Sequence, residues 1–288
     1  MTPAALRTFL DRNEPTVLVE LVAVRGSTPR EAGAFMLVSA EDQTGTIGGG
    51  ALEYLCIDRA RRALVSGEAL TSLDVPLGPE IGQCCGGRVD VAIRLVDARI
   101  RSGLVRRIEA ERAHRPHVYV FGAGHVGRAL ARALAPLPLC CHVVDTRPDA
   151  LVDLPPEVET HAVAMPEALV RSAPAGSSFV ILTHDHALDF LIAAEALQRP
   201  DALYVGMVGS MTKRARFTHW YRAEGHDQFA LNRLISPIGA VAGVGDKRPE
   251  VIAALAAAEI LVTVMNKGRL ADEADASGAY LPGVAVGR

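Results

Sequence analysis

The chain carries no excess of positive charge: 30 Lys and Arg stand against 33 Asp and Glu, a formal net charge of −3. Nucleic-acid binding draws on a basic surface, so this balance argues against such a partner. A long unbroken apolar run is also missing. The longest, residues 251–265, is interrupted by Glu259 and rich in alanine. It reads as too short for a membrane span, which needs about 20 predominantly apolar residues. Residues 1–15 include Arg7, Asp11, Arg12 and Glu14 and no apolar core, so no signal peptide is expected there. Cysteine is scarce and odd in number: Cys56, Cys84, Cys85, Cys140 and Cys141. Four of these lie in adjacent pairs, so a disulfide framework is not expected and a reducing cytoplasm is the expected location. Neither a repeat nor a low-complexity tract is present. What remains is 288 residues, 49% apolar and 22% charged, enough for two domains with ordinary cores.

The pattern changes character near residue 117. Before it, β-branched and apolar runs at 16–24, 34–39 and 89–96 read as strands, and 51–65 has helical spacing. Gly50 is a candidate N-cap for that helix, with Glu53 reaching back to its amide. This gives an α+β domain over residues 1–97, followed by an arginine-rich connecting helix over 98–116. From 117 to 272, apolar strands at 117–121, 141–145, 160–163, 178–183 and 203–208 alternate with helices at 126–134, 166–172 and 188–198. That alternation implies a Rossmann-like, doubly wound parallel sheet. An alanine-rich helix at 249–266 closes the domain, and 273–288 reads as a tail. The closing helix needs cover, either within its own subunit or from a second copy in a homodimer.

Four strand ends carry candidate binding chemistry. Gly122-Ala123-Gly124-His125-Val126-Gly127 follows an apolar strand and opens a helix. Gly122 permits the tight turn, Gly124 lets a phosphate approach the backbone, and Gly127 lets helix and strand pack. The helix start favours an anion. His125 is either a ligand contact or a half-exposed first-turn residue. Asp145 ends the next strand, where it could accept from ribose hydroxyls, and Arg147 could instead meet a 2′-phosphate. NAD(P) or another nucleotide is therefore a possible guest. After the fourth strand come Thr183-His184-Asp185-His186 and Asp189. Asp185 is expected to cap a helix, with His184 and His186 lining a pocket; a metal there is the alternative. The fifth strand ends in Gly206-Met207-Val208-Gly209-Ser210, followed by Lys213, a further place for an anion.

Gln83-Cys84-Cys85-Gly86-Gly87 is a different kind of motif. Adjacent cysteines do not reach relaxed disulfide geometry without backbone strain. In a glycine setting their thiolates can ligate a soft metal or attack a persulfide. The bland alternative is a pair of small core residues. Cys56, Cys140 and Cys141 fall on apolar elements and are expected to be core.

In order along the chain, these segments resemble the XdhC/CoxI family, accessory proteins for xanthine dehydrogenase and related molybdenum hydroxylases. The matching residues are Gly26-Ser27-Thr28-Pro29-Arg30, Gly45-Thr46-Ile47-Gly48-Gly49-Gly50 with Glu53, and the Cys84-Cys85-Gly86-Gly87 turn. They continue with the glycine loop from Gly122 to Gly127, Asp145 with Arg147, and Thr183-His184-Asp185-His186. Gly206 to Ser210 with Lys213, and Ser236-Pro237-Ile238-Gly239, complete the set. The resemblance implies binding of the molybdopterin form of the molybdenum cofactor, retention during sulfuration by a cysteine desulfurase, and delivery to the client enzyme. Cys84 and Cys85 would then serve the metal end, with Arg30 and the turn at Gly48 to Gly50 nearby. The chain departs from the family pattern after Pro237: an acidic residue soon after Ile238-Gly239 and a Thr-Pro-Glu-Glu-like helix start are usual, whereas residues 240–250 read Ala-Val-Ala-Gly-Val-Gly-Asp-Lys-Arg-Pro-Glu. The competing readings are an NAD(P)-dependent oxidoreductase with His184 or His186 as proton donor, and a nucleotide-regulated interaction protein.

Overall fold

The computed structural model describes residues 1–67, 70–79, 86–240 and 244–278. It divides into two units, Met1–Ala113 and His114–Arg288.

The first unit runs α1 (Pro3–Arg12), β1 (Val17–Arg25), β2 (Phe35–Val38), β3 (Gln43–Gly45), α2 (Gly50–Ser66), β4 (Leu70–Pro76), β5 (Arg88–Leu95) and α3 (Ala98–Ala113). Its sheet has the order β3-β2-β1-β5-β4, with every pairing antiparallel. The period-two pattern of β1 explains the layering. Val17, Val19 and Leu21 point to one face, where Leu52, Cys56 and Ala60 of α2 cover them. Leu18 points to the other, where it meets Leu6 and Leu10 of α1 and Leu104 and Ile108 of α3. The arginine-rich segment is therefore not a solvated connection. It is an integral helix of the first unit, with a thin apolar stripe.

The second unit contains β6 (His117–Phe121), α4 (His125–Leu134), β7 (Cys140–Asp145), β8 (Glu159–Ala162), α5 (Pro166–Ser172), β9 (Ser178–Ile181), α6 (His186–Gln198), β10 (Tyr204–Met207), α7 (Met211–Ala223), β11 (Leu234–Ile235) and α8 (Pro249–Gly278). The sheet order is β11-β10-β9-β6-β7-β8, all parallel. Counted within this unit, that is the doubly wound order 3-2-1-4-5-6 written from the other edge, with its switch point between β6 and β9. β7, β9 and β10 are buried along their whole length, which is why they read as continuous apolar runs. The α/β class with a Rossmann-like second half is as expected.

Helices α5, α6 and α7 cover one face; α4 and α8 cover the other. Helix α8 is longer than its sequence pattern suggested, and residues 249–266 are apolar enough by length and composition to cross a membrane. Its small-residue stripe, Ala253, Ala256, Ala257, Ile260 and Val264, is nevertheless buried in the core shared with α4. That one face of the helix is covered by its own unit. Cys56, Cys140 and Cys141 are buried as expected. Burial, with the neighbouring Glu53 charge, pushes the Cys56 thiol up to about 12. Burial, with Cys140, does the same for Cys141, so these thiols are not nucleophiles at neutral pH.

Candidate functional site

Glycine contacts gather the motifs of the first unit. After β1 the chain turns through Gly26 at φ +70°, directly against Gly87. A Cβ placed on Gly26 would stand 3.3 Å from the Gly87 Cα, and one on Gly87 only 2.2 Å from the Ser27 carbonyl oxygen. No side chain fits there, so this glycine lets the loop after β1 close on the chain entering β5. Gly86 N–H donates to the Leu77 carbonyl (2.9 Å) and Leu77 N–H to that of Gly87 (2.8 Å). The other end of the loop lies on the turn before α2. A Cβ on Gly48 would be 2.5 Å from Pro29 Cγ and 3.6 Å from Arg30 Cγ. One loop thus touches both glycine segments, and Arg30 does sit beside Gly48. Gln83, Cys84 and Cys85, which precede Gly86 in the chain, lie outside the described residues.

The turn itself differs from expectation. Gly49, not Gly50, is the cap residue of α2, and no side chain caps the helix. Gly48, Gly49 and Gly50 all have positive φ, so the backbone winds in a sense that side chains would oppose. Glu53 reaches past Gly50 and accepts from the Thr46 hydroxyl and from Ile47 N–H (3.0 Å). Burial alone would raise its carboxyl. The Thr46 hydroxyl and the amides of Gly49, Ile47 and Gly48 outweigh that and hold it below the usual range. Glu53 is thus an ionised staple of the turn. Arg30 is exposed and, among the described residues, pairs with no acid. Arg25 and Arg88 are committed, to Asp90 (2.7 Å) and Asp74 (2.8 Å).

In the second unit Gly122 and Gly127 are where no side chain fits, and Gly124 is open. A Cβ on Gly122 would be 2.4 Å from the Leu182 carbonyl oxygen, and one on Gly127 1.9 Å from that of Gly122; one on Gly124 would meet nothing within 4 Å. Gly124 is the cap residue of α4 and no side chain caps it, and His125 is exposed. A helix start left without a side-chain cap is one that an anion can occupy.

Asp145 is positioned as predicted but spent within the fold. Its Oδ2 accepts from Ala123 N–H (2.8 Å) and Arg147 Nη2 (3.2 Å), and its Oδ1 from Arg147 N–H and Nε (3.0 Å each). A carboxylate has about four acceptor positions, so a ribose would have to displace Arg147. The crevice lined by Gly122, Asp145, Thr146, Pro166, Thr183 and His184 encloses about 10 Å³, room for roughly one water. Burial would raise the Asp145 carboxyl, but the Arg147 guanidinium and the amides of Ala123 and Arg147 hold it below the usual range. The sign follows: its stabilising contribution is complete above the unfolded value of about 4 and is lost as pH falls through the lower folded value. Asp145→Asn is expected to lower stability by about 1.5–3 kcal/mol at neutral pH. Urea denaturation at pH 7 and at pH 3 should show the gap between wild type and variant narrowing in acid.

The remaining strand ends are tied together by a buried ion pair. Asp185 caps α6 as expected, accepting from Ala187 N–H (2.8 Å) and Leu188 N–H (3.4 Å). His184 and His186 are exposed, and among the described residues they gather no third metal ligand. Asp189, fully buried, accepts from Thr183 N–H (2.9 Å) and hydroxyl (2.7 Å) and pairs with the buried Lys213 ammonium. Gly209, just after β10, serves this pair rather than lining an open rim. A Cβ on Gly209 would be 2.6 Å from Lys213 Cδ, and the Ser210 hydroxyl accepts from Lys213 N–H (3.3 Å) to cap α7. Gly206 lies inside β10, where a Cβ would be 2.4 Å from the Tyr204 ring. The sequence places Asp189 and Lys213 next to recognisable motifs, but only the fold shows that they meet.

Residues 118–260 match the model of the XdhC Rossmann domain, and residues 9–74 that of the XdhC and CoxI family. YqeB, an uncharacterized protein of Escherichia coli (strain K12), is 30% identical over 272 residues. The match covers 89% of this chain but 45% of YqeB, so the chain spans about half the length of that relative. A solved Bacillus halodurans protein, described as a xanthine dehydrogenase, matches with a TM-score of 0.72 at 19% identity, over 92% of this chain and 96% of that one; at that identity the likeness speaks for the fold. The two family models reach into both units and contain the Arg30, Gly48 and Glu53 constellation as well as the Gly122 loop, Asp145 and Lys213. The chain belongs to the XdhC/CoxI family.

Proposed function

We propose that this chain is an accessory protein for a molybdenum hydroxylase of the xanthine dehydrogenase kind. In this reading it binds the molybdopterin form of the molybdenum cofactor, holds it while a cysteine desulfurase supplies the terminal sulfur, and hands it to the client. Family membership supports the accessory role, and the structural neighbour's description suggests the client. The observation that carries the reading is the convergence in the first unit. The loop from Gly26 to Arg30 lies on Gly87, two residues after Cys85 in the chain, and on Gly48, leaving Arg30 exposed beside a side-chain-free turn.

That arrangement suits a compact, anionic, sulfur-ligated metal group. Glycine segments admit a bulky guest close to the backbone, Arg30 supplies charge, and a thiolate from Cys84 or Cys85 can approach molybdenum or relay sulfur. The second unit, taken by itself, has an uncapped helix start at Gly124 of the kind that takes an anion. A reducing cytoplasm would keep the thiols available. The oxidoreductase reading is weaker, because the acidic group it needs for ribose is already saturated by Arg147 and Ala123.

The test is anaerobic mixing of the purified protein with cofactor released from a mature molybdoenzyme, followed by gel filtration. Pterin, assayed as its fluorescent oxidation product, and molybdenum are expected to co-elute with the protein in stoichiometric amount. Elution of all pterin in the small-molecule volume would overturn the proposal. Parallel titration of NADH and NADPH fluorescence is expected to show no saturable change.

A further inference from the structure

Away from the glycine loop, towards the amino-terminal ends of the strands, lies a histidine cluster that the proposed function does not use. The register sets Tyr119 of β6 opposite His142 of β7, His142 opposite Glu159 of β8, and Val144 opposite His161. In a parallel sheet, paired residues and their i+2 neighbours share a face. His117, Tyr119, His142, Glu159 and His161 therefore project to one side, and the side is that of the core under α5 and α6.

The ligating atoms converge. His142 Nδ1 is 3.1 Å from His161 Nε2 and 3.3 Å from Glu159 Oε2, and the three lie within 4.8 Å of one another. Zinc–nitrogen and zinc–oxygen bonds of about 2.0–2.1 Å in a tetrahedron give ligand edges of about 3.3 Å, so these separations leave room for an ion at the common point. The opposite ring nitrogen, His142 Nε2, is 2.9 Å from His117 Nδ1. A proton on Nε2, donated to His117, leaves the Nδ1 lone pair facing Glu159 and His161. This is the arrangement in which an outer partner fixes the tautomer of a metal-bound imidazole. The His142 ring is further held by near-parallel packing on Tyr119, 4.4 Å between centroids and 8° between planes. His142 is buried, whereas Glu159 is exposed and His161 partly so, which gives an ion an entry path and leaves a coordination position for water.

We propose that His142, His161 and Glu159 bind one divalent transition-metal ion of the zinc class, with His117 positioning the His142 ring. The ion would pin the exposed edge strand β8 to β7. The donor set of two imidazoles and a carboxylate favours zinc, cobalt or nickel over magnesium or calcium. This proposal is independent of cofactor handling.

The test uses the full chain carrying Cys84→Ser and Cys85→Ser, so that the vicinal thiols do not compete. Cobalt(II) is added as the probe, with zinc as competitor. A tetrahedral or five-coordinate visible spectrum lacking a thiolate charge-transfer band is expected, saturating at one ion per chain and displaced by zinc. Glu159→Gln, at an exposed position, and His161→Gln, at a half-buried one, are each expected to weaken binding more than about tenfold, and His117→Phe by about 10–100-fold. Circular dichroism checks that each variant folds. Absence of saturable binding, or binding unchanged in both Glu159→Gln and His161→Gln, would show a hydrogen-bonded histidine chain and no metal site.

Discussion

Lys213→Ala is expected to destabilise the second unit by about 3–5 kcal/mol. Asp189 has no exposed surface, and its carboxylate is held by Thr183 N–H and hydroxyl and by the Lys213 ammonium. The pair need not be strongly stabilising in itself, because both ions lose their hydration. Removing only the cation is different: it leaves an uncompensated charge in a place water does not reach. Asp189→Asn combined with Lys213→Met removes both charges while keeping an acceptor for Thr183. That double variant is expected to recover most of the loss, and the non-additivity is the signature of direct coupling. The only tryptophan, Trp220, lies on α7 against Phe190 and Phe217, so its fluorescence in urea follows this unit. A loss below about 1 kcal/mol, the level of an exposed pair, would mean that water reaches Asp189 in the fold. The position explains why this pair matters beyond stability. It joins the turn after β9, the strand paired with β6, to the glycine segment after β10.

Strong periodicity made the second unit legible. Strands β6, β7, β9 and β10 are apolar on both faces and separated by helical segments, a pattern few folds share. The first unit was harder to read because its signals are thin. Helix α1 has a helix-start signal in Thr2 before Pro3, with Leu6 and Leu10 buried four apart, but so short a stripe does not stand out among charged residues. Helix α3 buries little more than Leu104 and Ile108 among its arginines, so it reads as a solvated connector. Strand β4 is an edge strand of mixed polarity at the margin of the sheet.

At the site, residue types were readable and commitments were not. Asp145 stands where a ribose acceptor would, yet Arg147, two residues on, folds back to fill it. Gly206 looks like part of an open rim and in fact makes room for the Tyr204 ring. The histidine cluster depends on the register of three parallel strands far apart in sequence. No local pattern of spacing encodes that register.

Replacing both Cys84 and Cys85 with alanine is expected to abolish cofactor retention and client activation while leaving the far-ultraviolet circular dichroism and its thermal midpoint unchanged. The core of the first unit rests on residues such as Leu18, Leu21, Leu52 and Cys56, so a loss confined to binding would assign the vicinal thiols to the guest. Arg30→Ala provides the graded companion. Its guanidinium is exposed and, among the described residues, bonded to no acid, so removing it should not unfold anything. Loss of one charge-assisted hydrogen bond, about 1.5–3 kcal/mol, corresponds to roughly 10–150-fold weaker retention. Gly87→Ala separates geometry from chemistry. Its Cβ would fall 2.2 Å from the Ser27 carbonyl and drive the Arg25–Arg30 loop off the strand entrance, so binding should fail with both thiols intact. If the double cysteine variant retained molybdenum and pterin at wild-type levels while Gly87→Ala and Arg30→Ala lost them, the guest would be held by backbone and charge alone, and sulfur would have no part in its capture.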